Sequence, residues 1–140
     1  MPSLPALIFF AALAIVVAYV AAALAKDLAV LFLCAIGHLP RRPNYAAARS
    51  GKWAALEHNW LKVHPACAAC GTTEQVVVHH KKPFHLHPDL ELEPANLITL
   101  CEKHCCHLML GHAGDFHAYN PHVEEDARIL RKRVEQRRYE

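Results

Sequence analysis

Two short-spaced cysteine pairs, Cys67-x2-Cys70 and Cys101-x4-Cys106, limit what this chain can fold into more than any other feature. Zinc takes four soft donors in a tetrahedron, and each short spacing preorganises two thiolates at a time. Of the six cysteines in 140 residues, five fall between Cys67 and Cys106. An odd number there argues against a framework of simple disulfides, and the Cys-x-x-Cys spacing points to metal instead. A redox dithiol would need a βαβ context that this stretch lacks. The polar part of the chain is only about 100 residues, so a structural metal would supply stability that a thin core cannot. His104, Cys105 and Cys106 each stand where a last ligand is wanted.

The overall composition, 54% hydrophobic with a formal net charge of +2, hides an asymmetry. From Met1 to Pro40 the only charged side chains are Lys26 and Asp27. Leu4 to Leu24 is an uncharged run, LPALIFFAALAIVVAYVAAAL, of a length that fits the roughly 30 Å hydrocarbon core of a bilayer. A second run, Leu28 to Gly37, is too short to span alone and either lies in the interface or extends the same helix. No Lys or Arg precedes Lys26, whereas Arg41, Arg42, Arg49 and Lys52 follow, so the positive-inside rule keeps the C-terminal side in the cytoplasm. The expectation is a membrane anchor over residues 1–40 with a cytoplasmic module behind it. Two rivals stand beside it. One is a cleaved leader, with Ala23-Leu24-Ala25 as the cleavage site, although its n-region has no basic side chain. The other is a soluble cytoplasmic protein of which the apolar arm is no functional part. A buried core helix is ruled out by the smallness of the module that would have to cover it.

The remainder divides into a linker and basic amphipathic helix (41–65), a core (66–120) and a charged C-terminal helix (121–140). Pro40 and Pro43 bracket Arg41-Arg42 as a linker, and Ala46 to Val63 reads as a helix closed by Pro65. Trp53, Leu56 and Trp60 share one face of it, with Arg49, Lys52 and Lys62 as its basic residues. The Trp residues read as packing positions, while Arg49 and Lys52 are candidate nucleic-acid contacts. The net charge by itself does not demand such a partner. Cys67-Ala68-Ala69-Cys70-Gly71 reads as a metal knuckle, with Gly71 able to take positive φ. Val76-Val77-Val78-His79-His80 reads as a β-branched strand, Lys81 to Pro94 as a long loop, and Leu97 to Leu100 as a second strand. Cys101 to Leu110 turns into a helix that stops near Gly111 and Gly114, and Pro121 to Tyr139 forms a last amphipathic helix. Acidic residues open that helix and basic ones close it, which suits the helix dipole.

The histidines supply the chemistry. His79-His80 ends a strand ahead of Lys81-Lys82-Pro83, Asn96 precedes the second strand, and His107 follows Cys106 directly. Through CAACG, VVVHHKKPF, PANLITLC and CHLMLGH, in that order, the chain from about Arg49 to Pro121 resembles the HNH endonuclease family. The resemblance implies an α+β fold, a small ββα-metal finger with zinc knuckles and flanking helices, preceded here by the apolar N-terminal helix. It implies His80 as general base, Asn96 as the residue that holds the loop so that His80 is aimed, and His79 and His107 as ligands of a catalytic metal. His112 is a third candidate ligand, but its five-residue spacing from His107 is imperfect for one helical face. The family places its last zinc ligand immediately before the metal-binding His. That selects Cys106 to complete a zinc site with Cys67, Cys70 and Cys101, and leaves Cys105 without a role.

The function implied is metal-dependent hydrolysis of phosphodiester bonds in DNA, with RNA left open. The products would carry a 5′-phosphate and a 3′-hydroxyl. Zinc is the structural metal, and the catalytic divalent ion is magnesium or a transition metal. Lys81 and Lys82 join Arg49 and Lys52 as candidate backbone contacts. A neutral imidazole is available as a base at cytoplasmic pH. Adjacent strand residues point to opposite faces, so the strand must end or twist at His79-His80 for both to reach one site. The rival reading is a catalytically silent zinc module that binds nucleic acid or a membrane partner. His85, His87, His104, His117 and His122 read as solvated or locally hydrogen-bonded.

Overall fold

The computed structural model describes residues 4–36 and 49–139. The chain divides into two units, Met1–Pro40 and Arg41–Glu140. The linker expected around Pro40 to Pro43 and the first residues of the helix expected from Ala46 lie outside the described residues.

In the first unit, helix α1 runs from Leu4 to Ala35. It passes straight through Lys26 and Asp27, so the second apolar run extends the first helix and does not form a separate element. By length and composition Ile8–Leu33 can cross a membrane, and a signal sequence has the same properties. At about 1.5 Å per residue, this stretch exceeds the hydrocarbon thickness of a bilayer.

The second unit is mixed α and β around a two-stranded antiparallel sheet. Strand β1, Val76–His80, pairs with β2, Leu97–Cys101, in a regular register from Val76↔Cys101 to His80↔Leu97. Three consecutive valines favour the extended backbone of β1. The long connection between the strands is drawn closed at its base, where the Lys81 N–H donates to the Asn96 carbonyl at 2.7 Å. β2 is buried along its whole length. Helix α2, Trp53–Val63, lies against the sheet, where the Trp60 indole N–H donates to Thr99 Oγ1 at 2.9 Å. Thr99 in turn donates to the His64 carbonyl at 2.9 Å, which fixes the end of the helix just before Pro65. Helix α3, Val123–Gln136, buries Val123 and Ala127 in the core. The buried cluster comprises Cys67, Ala69, Ile98, Leu100, Cys101, Cys106, Val123 and Ala127, with Leu130 packed against it. Three of the paired cysteines are therefore core residues.

Three boundaries differ from the sequence expectation. α2 begins at Trp53, so Arg49 and Lys52 precede the helix and cannot belong to a basic face of it. The helix expected from Cys101 to Leu110 is one π-helical turn, His107–Gly111, reached after Cys105 takes a positive φ of 55°. The last helix is shorter at both ends than Pro121 to Tyr139, because the Asn120 side chain organises its entry. Asn120 Nδ2 donates to Asp126 Oδ2 and its Oδ1 accepts from the His122 N–H.

Candidate metal centre

Two clusters of metal-ligating side chains converge on the sheet. Cys67, Cys70, Cys101 and Cys106 bring their sulfurs within 4.8 Å of one another. Cys70 and Cys101 Sγ are 3.5 Å apart. The edge of a tetrahedron with zinc–sulfur bonds is about 3.8 Å, so the spacing suits one ion. The first knuckle forms because Gly71 adopts φ +80°, which lets its N–H return to the Cys67 carbonyl at 2.9 Å. The second depends on Cys105. At φ 55° that residue turns the chain so that Cys106, rather than Cys105, joins the other three sulfurs.

Thiol chemistry points the same way. Hydrogen bonds from the Cys101 and Cys106 thiols hold the Cys67 thiol far below its ordinary range. Contacts with the Cys101 thiol first, and then with Cys67, push the Cys106 thiol far up. Packed this closely, the sulfurs cannot all ionise without a cation between them. A dication relieves that repulsion, and zinc fits the donor set.

The second cluster is imidazole. His79, His107 and His112 bring one ring nitrogen each within 4.8 Å of one another. Their ring centroids form a triangle with sides of 5.3, 4.9 and 5.0 Å. The π-turn explains how His112 joins His107 across a five-residue step, because the wider turn brings the two into line where a 3.6-residue helix would splay them. It also explains Gly111, which the sequence presented only as a helix stop. A Cβ there would sit 3.0 to 3.2 Å from ring atoms of His79. The bare backbone lets the imidazole of β1 lie flat against the turn.

The His112 ring is held from behind, since its Nδ1 donates to the Ala118 carbonyl at 3.1 Å and leaves Nε2 as the donor atom for a metal. His107 Nδ1 lies 3.6 Å from Glu102 Oε1. Phe116 covers both rings, with centroids 5.6 Å from His107 and 5.1 Å from His112. Burial, and then the neighbouring His107 and His112, push His79 well below the ordinary imidazole range, so its ring is neutral, the form that can ligate a metal. Three imidazoles suit zinc or nickel better than magnesium or manganese, which prefer oxygen.

His80 stands beside this triad, outside it. β1 ends at His80, so although the two side chains leave the strand in opposite directions, both open onto one cleft of about 220 Å³. His80 Nε2 donates to the Glu91 carbonyl at 2.9 Å. That bond fixes the tautomer with an unprotonated Nδ1. The Trp53 ring stacks on the imidazole at 4.6 Å, and the Arg49 guanidinium lies 4.4 Å over Trp53 and 5.5 Å from Phe84. Burial lowers the His80 pKa, the Glu91 carbonyl works against that, and the Arg49 charge adds to it.

Asn96 holds the loop. Its Oδ1 accepts from the Lys82 N–H at 2.8 Å, while Nδ2 donates to the carbonyls of Lys82 (3.1 Å) and Leu90 (3.3 Å). Leu90 precedes Glu91, so Asn96 fixes the segment that carries the His80 acceptor.

The basic candidates separate. Arg49 lines the cleft. Lys81 is engaged by Glu124 of α3 at 2.9 Å, which ties it to the body of the unit. Lys52 and Lys82 are exposed, and neither lines the cleft. His85, read as solvated, lines the cleft.

Sequence reasoning missed Glu91, a carboxylate with 5% exposure. Both its oxygens accept from the Ser50 N–H, at 3.2 and 3.0 Å, which anchors the segment bearing Arg49. No periodicity or motif marks it, because its partners are backbone groups 41 residues away and at the end of β1.

The chain matches no family model, no curated protein and no solved structure.

Proposed function

We propose that residues 49–139 form a nuclease of the HNH type, a ββα-metal hydrolase of DNA phosphodiester bonds stabilised by a separate zinc. The observation that carries the reading is the pairing of three convergent imidazoles, His79, His107 and His112, with an adjacent His80 whose Nδ1 is left free as a base. The order of CAACG, VVVHHKKPF, PANLITLC and CHLMLGH in the sequence supports it.

In this mechanism the DNA backbone enters the cleft with its scissile phosphate between Arg49 and the three imidazoles. A divalent ion on His79, His107 and His112 would stabilise negative charge on the phosphate and the leaving oxygen. His80 Nδ1 removes a proton from water as the oxygen attacks phosphorus in line. The bond to the 3′ oxygen breaks, and that oxygen takes a proton from solvent. The Glu91 carbonyl, held by Asn96, keeps the imidazole in the tautomer the step requires. Arg49 contributes positive charge at the cleft wall. α1 anchors the nuclease at a membrane with its module on the cytoplasmic side.

The test is plasmid cleavage by the full-length chain with zinc, nickel, manganese and magnesium, beside His80→Ala. Removing a general base slows such a reaction by about 10²- to 10⁴-fold. The variant is expected to bind metal and DNA normally and cleave that much more slowly. A folded, zinc-loaded wild type that cleaves neither DNA nor RNA with any of these ions would favour the silent binding module.

A further inference from the structure

His104 touches the sulfur cluster at two points, yet it stands outside the group of four. Its Nδ1 is 3.3 Å from Cys70 Sγ. Its carbonyl lies 3.9 Å from Cys106 Sγ, which donates to it. These contacts follow from the turn between Cys101 and Cys106, which wraps His104 around the edge of the site. The four sulfurs are not equivalent at that edge. Cys67, Cys101 and Cys106 are buried, while Cys70 is partly exposed. The imidazole therefore backs the one sulfur that solvent can reach. Among first-row divalent ions zinc accepts three sulfurs and one nitrogen as readily as four sulfurs.

We propose that His104 is a reserve ligand of the sulfur centre, placed to take over the position of Cys70 when that sulfur is lost. The inference rests on the reading that the four sulfurs hold a metal. With Cys70 in place, His104 donates to or accepts from its sulfur and tunes it from behind. Without it, Nδ1 offers its lone pair to the ion and the ring proton resides on Nε2 at the surface. The centre becomes three thiolates and one imidazole, with the same three buried sulfurs. It would therefore survive damage to its exposed thiolate, whereas among the described residues no imidazole is hydrogen-bonded to a buried one.

The experiment uses the full-length chain loaded with cobalt(II), whose sulfur-to-cobalt charge-transfer band reports thiolate ligation alone and is blind to cobalt on the three imidazoles. Cys70→Ala is expected to keep the band at about three-quarters of its wild-type intensity, three thiolates for four. Its visible d–d bands should move to higher energy as nitrogen replaces sulfur. Cys67→Ala is expected to lose the charge-transfer band. Combining Cys70→Ala with His104→Ala is expected to abolish the band as well, while His104→Ala alone should keep the four-sulfur spectrum. A Cys70→Ala chain that takes up no thiolate-bound cobalt, folded or not, overturns the proposal. So does a double variant that holds cobalt as well as Cys70→Ala, since solvent would then be the fourth donor. A wild type without the charge-transfer band would instead remove the underlying metal reading.

Discussion

His80 and Glu91 are adjacent in function through a single backbone hydrogen bond, and that bond determines which nitrogen is available as a base. With Nε2 committed to the Glu91 carbonyl, Nδ1 is the proton acceptor. Burial and the Arg49 charge lower the His80 pKa from its ordinary 6.5, the carbonyl opposing them. The sign for catalysis follows directly. In the proposed mechanism the neutral imidazole is the active form, so the cleavage rate should rise with pH through the folded-state pKa and level off above it. The acid limb is expected to have its midpoint below 6.5, and Arg49→Gln should move that midpoint upward by removing a positive neighbour. A pH–rate profile of both proteins at saturating metal checks this; an unchanged midpoint in the variant would show that Arg49 does not act on His80. The residues of this site were unequally legible. His79, His80, Asn96 and His107 stand in a linear order that survives in the sequence. Glu91 could not be read, because its partners are backbone atoms and backbone atoms leave no pattern.

Among the elements, the π-turn is where sequence periodicity misleads most. The sequence reads as a helix from Cys101 to Leu110, and on an α-helix continued through His112 the side chains of His107 and His112 would diverge. The wider turn brings them together, and Gly111 leaves room for the His79 ring against it. The strands were legible because three consecutive valines mark the first and a short, largely apolar run holding Ile98 and Thr99 marks the second. The start of α2 was not, because Arg49 and Lys52 fit a helical face by spacing, while Glu91 anchors Ser50 and the chain turns at Gly51-Lys52 before the helix begins at Trp53. The turn yields a specific expectation. In Gly111→Ala the new methyl carbon meets His79 ring atoms at 3.0 to 3.2 Å, so the imidazole must shift by a few tenths of an ångström. The three-imidazole site should lose metal affinity by about 10- to 100-fold, as changes behind a metal ligand commonly do, while the sulfur centre stays loaded. Metal analysis after mild dialysis should find the second ion depleted and the first retained. Equal loss of both would mean that the methyl group disrupts the fold.

For the whole molecule, the sulfur centre and the core are one object: Cys67, Cys101 and Cys106 pack among Leu100, Val123 and Ala127. Metal-binding free energy in small domains of this kind is folding free energy. A strong chelator should therefore unfold the second unit cooperatively, seen as loss of near-ultraviolet dichroism from Trp53 and Trp60. Chelation that strips both metals and leaves that signal intact would show that the core stands without the ion. α1 calls for a separate test. Ile8, Phe9, Phe10, Ile15 and Phe32 are each more than 60% exposed, an apolar surface that water does not tolerate over a long helix. Lipid covers such a surface without any partner protein. If α1 spans a membrane, the basic residues that follow it in the sequence, Arg41, Arg42, Arg49 and Lys52, would set the direction of insertion, because basic residues near a span stay on the cytoplasmic side. The full-length chain, expressed with a C-terminal tag, is expected in the membrane fraction after an alkaline wash. The tag should be cut by protease only when the cytoplasmic face is opened. Intact protein recovered wholly in the soluble fraction would sink the anchor, and a shortened chain beginning after Ala25 would identify the helix as a cleaved leader.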